Sequence, residues 1–90
     1  MVDFKTMIEN ESIFDVISFF SRSKKGIGYP KLDNFFVRYR FEVISSGEFM
    51  RTFAEMEKNG VVQWGEKMIV LKGPNWKEPK FVTQKKYGIE

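Results

Sequence analysis

Apolar positions recur at helical spacing in three stretches and then switch to strand-like runs. From residue 45 to 64 the chain reads SSGEFMRTFAEMEKNGVVQW, and Phe49, Thr52, Phe53 and Met56 fall on one helical face. Ser46 suits the N-cap of that helix. Asn59-Gly60 stops it, since Gly accepts the left-handed conformation that ends many helices. The spacing predicts a helix over residues 47–59 followed at once by a strand over 61–64. Upstream, Ile13, Val16, Ile17 and Phe20 form a stripe that predicts a helix over 12–21. Phe14 and Phe19 lie off that stripe. They either broaden the buried face against the N-terminal segment or offer an apolar contact to a partner. A further helix opens at Tyr29-Pro30, with Pro in the first turn. Leu32, Phe35, Phe36 and Tyr39 make its buried stripe, and Lys31, Asn34 and Arg38 share its opposite side.

The segments between these helices are short. Residues 1–10 have weak periodicity and read as a lead-in or one helical turn. Residues 21–28, SRSKKGIG, are a basic turn. Its Gly-x-Gly is not a nucleotide fingerprint, because no strand precedes it and the third Gly is missing. Residues 41–44 are an apolar connection. Beyond Trp64, Gly65-Glu66 makes a turn, and 67–71 is a strand by its β-branched content. Residues 72–75 are a breaker cluster. Residues 76–82 are expected to be extended, confined to a sheet edge by Pro79, and the polar, basic tail 83–90 is expected to be loose. The expected fold is a single α+β domain over 1–90, with three helices closed by a C-terminal β-hairpin.

Composition narrows the chemistry. Ninety residues with 42% hydrophobic content and ten Phe can build one core. There is no Cys and no His. Disulfides, thiolate metal sites, a His base, a His-bearing triad and a His-ligated zinc site are therefore excluded. Glu48 and Glu55 share a helix face, but a solvated face explains them better than paired catalytic carboxylates do. The chain is expected to be non-enzymatic, without metal or cofactor. No apolar run approaches the roughly 20 residues that cross a bilayer, and the N-terminus carries mixed charge. A cytoplasmic location is expected.

The net charge is +3, but the charge is unevenly placed. Residues 21–40 hold Arg22, Lys24, Lys25, Lys31, Arg38 and Arg40 against Asp33 alone. Residues 41–60 turn acidic, and the last third is basic again. An anion-binding surface would have to come from the second and fourth of these blocks.

The stretch from Ser45 to Trp64 resembles the third helix and first wing strand of winged-helix domains. Met56-Glu57-Lys58-Asn59-Gly60-Val61-Val62 matches the closing part of that helix, and Ser46-Gly47-Glu48-Phe49-Met50-Arg51 its opening. Gly28-Tyr29-Pro30-Lys31-Leu32 is similar to the start of the second helix, and Trp64-Gly65-Glu66-Lys67 to the wing turn. The likeness covers residues 12–72. It implies a DNA-binding regulator, with duplex DNA as the favoured partner. Arg51, Met50 and Glu48 would then face base edges, and Glu48 could accept from a cytosine amino group. Lys31, Arg38, Lys67 and Lys72 would lie along phosphates, flanked by Arg22, Lys24 and Lys25. The chain departs from the pattern in a longer link before the third helix, in a short wing, and in an outward helix face of two acids and two bases (Glu48, Arg51, Glu55 and Lys58).

The rival expectation is a protein-binding inhibitor, such as a toxin immunity protein or an antitoxin. Phe14, Phe19, Trp64 and Trp76 would supply its contacts, because aromatic residues and Arg dominate interface hot spots. The N-terminal segment, with its off-stripe Phe residues, is the candidate for a homodimer contact.

Overall fold

Asp3 starts the first helix, α1 (Phe4–Asn10), by accepting the Thr6 backbone N–H at 3.1 Å and the Thr6 hydroxyl at 2.7 Å. Residues 1–10 are thus mostly helical, and Met7 and Ile8 are buried. Ser12 caps α2 (Ile13–Phe20) through Oγ, which accepts the Asp15 N–H at 3.1 Å. The basic turn leads into β1 (Ile27–Gly28) and directly into α3 (Tyr29–Tyr39), with Pro30 in its first turn. The expected connection at 41–44 is itself a short helix, α4 (Phe41–Ser45). Gly47, at φ 80°, redirects the chain from α4 into α5 (Glu48–Lys58). Gly47 therefore occupies the N-cap position expected of Ser46, whose hydroxyl accepts the Glu48 N–H at 3.3 Å. The hairpin is β2 (Val62–Trp64) and β3 (Ile69–Lys72), and α6 (Lys80–Thr83) follows. This computed structural model describes residues 1–89. Among them the fold is α+β, with six helices and one three-stranded antiparallel sheet.

The strands lie in the order β1-β3-β2. Ile27 pairs with Val70 on one side of β3, and Trp64 pairs with Val70 on the other. Gly26 makes the close approach of the basic turn to β3 possible: at φ 66° it lies so near the Val70 carbonyl that a Cβ would collide with it. Val70 is fully buried, as are Val16, Ile17, Leu32, Phe36 and Met56. The Phe36 and Phe49 rings meet at 5.0 Å and join α3 to α5. Arg40 donates from Nη1 to the Glu11 carbonyl at 2.7 Å, so this base clamps the end of α1 and leaves the basic surface.

For Phe19 and Trp76 the structure decides for burial over partner contact, and further along the chain two expectations are corrected. Phe19 is 1% exposed and belongs to the core, because Phe4 of α1 and Phe81 of α6 cover the side of α2 that the Ile13/Val16 stripe leaves open. Trp76 packs against the core and donates its indole N–H to the Ser18 carbonyl. The segment 76–82 adds no strand. It ends in α6, which starts after Pro79, where the fixed φ of Pro suits a helix entry. The tail is anchored: Asp3 N–H donates to the Tyr87 carbonyl at 2.8 Å, the Tyr87 hydroxyl donates to Glu11, and Ile89 is buried. No helix among the described residues is long and apolar enough to cross a membrane.

Candidate functional site

The structure distributes the DNA candidates over three places. The first is the outward face of α5. Burying Phe49, Phe53 and Met56 leaves Glu48, Met50, Arg51, Ala54, Glu55, Glu57 and Lys58 exposed. Three carboxylates stand there against two bases. Arg51 turns back along its own helix, with Nη1 3.2 Å from the Ser46 carbonyl. Its charge therefore sits by the α4–α5 corner.

Beside α5 stands the hairpin. Trp64 on β2 rests against Phe53 at 5.4 Å and Tyr29 at 5.5 Å between ring centroids, yet it stays 42% exposed. Met50, one turn before Phe53, is 67% exposed. Burial pushes the Tyr29 phenol above its usual range, and the nearby Asp33 charge adds to this. At the hairpin tip Lys67 and Met68 both adopt left-handed φ, 54° and 60°, and both are exposed. Sequence reasoning missed Met68 and Tyr29. Tyr29 has the signal of a ring at a helix start, but nothing in the sequence marks the Met68 conformation.

The second place is a cleft of about 220 Å³ at the far end of the hairpin. Arg22, Lys24 and Lys72 converge there around Gln63 and Leu71. The register explains the meeting, since Gln63 pairs with Leu71, and Gln63 Nε2 donates to the Lys72 carbonyl at 2.8 Å. The Arg22 guanidinium lies 3.8 Å from the Phe19 ring centre, and its Nη1 donates to the Phe19 carbonyl at 2.9 Å. Its burial holds it below the ordinary arginine range. Lys72 Nζ sits 4.2 Å over the Trp76 ring. Lys25 is exposed in the same turn but does not line the cleft.

The third place is the outer side of α3. Lys31 and Arg38 line a hollow of about 600 Å³ with Asn34, Phe35 and Val37. Of the protein-contact candidates, Phe14 is 43% exposed on α2, Trp64 belongs to the α5–hairpin face, and Phe19 and Trp76 are packed inward. No family model, curated protein or solved structure matches this chain.

Proposed function

We propose that this chain is a non-catalytic protein-binding module on the winged-helix plan, acting as an inhibitor of the immunity or antitoxin kind. Support for the plan comes from the order over α2 to β3 (helix, strand, helix, a short extra helix α4, helix, strand, strand), with β3 central in the sheet. The observation that carries the function is the α5–hairpin face. Its helix bears Glu48, Glu55 and Glu57 against Arg51 and Lys58, while Met50 and Trp64 lie exposed around Phe53. Carboxylates on a groove-entering helix would repel phosphates. A mixed-charge helix beside an exposed Trp instead suits a protein surface, where a Trp anchor is a frequent hot spot.

The experiment is coexpression with the product of the neighbouring gene, followed by size-exclusion chromatography. A stable complex is expected, and Trp64→Ala should weaken it by about 2 kcal/mol or more. A complex indifferent to both Trp64→Ala and Met50→Glu would remove this face from the interface.

A specific observation favours a second reading, duplex DNA. Arg22, Lys24 and Lys72 line one cleft, and this concentration of positive charge suits phosphate contacts. On this reading binding is driven by the backbone and falls steeply with salt.

A further inference from the structure

The outer side of α3 carries a hollow separate from the α5–hairpin face. At about 100° per residue, Lys31, Asn34 and Arg38 lie roughly 160–220° around the helix from Phe36. Phe36 is the ring that packs on Phe49 of α5, so this side of α3 points away from α5. Phe35 and Val37 flank the polar ridge. Val37 is 37% exposed. The hollow of about 600 Å³ adjoins one of about 210 Å³ floored by Phe4, Phe20 and Ile27, and the two share Lys31 and Phe35. The Phe35 ring is held in place, stacked on Phe20 at 4.7 Å and edge-on to Phe4 at 5.5 Å. Among the described residues, the lining of both hollows includes two cations and no carboxylate.

From this combination we infer that the α3 surface docks an acidic amphipathic helix of a partner protein. Lys31 and Arg38 are seven residues apart, about 10 Å along the axis, which spans two turns of a bound helix. Apolar residues of that helix at i, i+3 and i+7 would enter beside Phe35 and Val37. Its Asp and Glu residues would flank them and meet Lys31 and Arg38, which steers the encounter and sets polarity. Asn34, between the two bases, can donate to a carboxylate or accept from a backbone N–H. The apolar floor argues against a phosphate backbone here, since phosphates gain nothing from Phe4, Phe35 or Val37.

The test is selection from a phage-displayed library of random 12-residue peptides on the full chain, counter-selected on the Lys31→Glu/Arg38→Glu variant. Both substitutions sit on exposed positions, and an unchanged thermal melt checks that the variant is folded. The expected winners are acidic peptides with apolar residues at helical spacing. Their affinity by fluorescence anisotropy should fall roughly tenfold or more in the double variant and stay unchanged in Trp64→Ala. Failure to enrich such peptides, or equal binding to the double variant, overturns the inference. So does enrichment of neutral or basic peptides. Tighter binding of a single-stranded oligonucleotide that displaces the peptides would make nucleic acid the occupant. A dimer of the native chain that the double variant dissociates in sedimentation would make it a second copy. Loss of the peptide on Trp64→Ala would place the binding on the α5 side.

Discussion

The indole N–H of Trp76 donates to the carbonyl of Ser18 at 2.9 Å and so fastens the segment beyond the hairpin to the last turn of α2, 58 residues earlier. The same carbonyl accepts the Ser21 hydroxyl at 3.2 Å. The ring also lies beneath the Lys72 ammonium. One aromatic residue thereby links α2, β3 and the run into α6.

Trp76→Phe keeps a ring but removes the donor. The loss expected is about 1 kcal/mol, with a lower urea midpoint and an unchanged slope. Ser18→Ala keeps that accepting carbonyl and probes the side chain instead. The Ser18 side chain is fully buried, and its hydroxyl has no hydrogen-bond partner. Removing an unsatisfied hydroxyl is expected to be neutral or to stabilise by up to about 1 kcal/mol. A loss of more than about 1 kcal/mol would show that the hydroxyl has a partner in solution.

Tyr87 ties the C-terminal segment to the α1–α2 junction through Glu11. The hydrogen bond to the Glu11 carboxylate, helped by burial and by the carboxylate charge, pushes its phenol up from 10.0 to about 12. A raised acid stabilises the fold while protonated. Its contribution is fully present below pH 10 and is lost as pH rises through about 12. Ultraviolet titration of the phenolate should show one tyrosine ionising near the top of that window, and Tyr87→Phe should remove it. The variant's melting temperature should fall less steeply than the native one across the same window. Parallel falls would break the link between the Tyr87–Glu11 contact and alkaline stability.

The hairpin tip carries backbone strain. Lys67 and Met68 stand at φ 54° and 60°, where a side chain costs about 1 kcal/mol or more and Asn-Gly is the favoured pair. Lys67→Asn/Met68→Gly is expected to stabilise the domain by about 1–2 kcal/mol, read as a higher urea midpoint. Either an unchanged or a lower midpoint would show that the two native side chains make compensating contacts.

Much of this fold was legible in the spacing of apolar residues. The stripes at Ile13/Val16/Ile17/Phe20 and Phe49/Phe53/Met56 are buried as expected, α2 and α5 lie within a residue of their predicted bounds, and α3 starts at Tyr29 as predicted. What escaped depends on contacts distant in sequence. Phe19 reads as off-stripe until Phe4 and Phe81 arrive to cover it. The tail reads as loose because its anchors, Asp3 and Glu11, lie some eighty residues away. The strand expected from residue 67 begins at Ile69, because Lys67 and Met68 turn left-handed, and no residue type there announces such a turn. Candidate bases were visible as charges, but only the sheet register and the Gly26 approach bring Arg22 and Lys24 to Lys72. Arg51 donates to the nearby Ser46 carbonyl, a local contact that periodicity does not reveal.

Phe14 and Phe19, five residues apart on α2, should respond oppositely to the same change. Phe19 is 1% exposed, ringed by Phe4, Phe20 and Phe81, and its face receives the Arg22 guanidinium. Phe19→Ser removes the ring, places a hydroxyl in an apolar site and withdraws the surface under a cation. A loss of about 3–5 kcal/mol is expected, a large share of the roughly 5–15 kcal/mol that holds a domain together. Phe14 is 43% exposed, so Phe14→Ser should cost no more than about 1 kcal/mol. Thermal melts of both variants decide the matter. A cooperative, near-native melt for Phe14→Ser makes that ring available to test as a partner contact. A collapse like that of Phe19→Ser would instead make Phe14 part of the core and leave Trp64 and Met50 as the contacts to test on the α5–hairpin face.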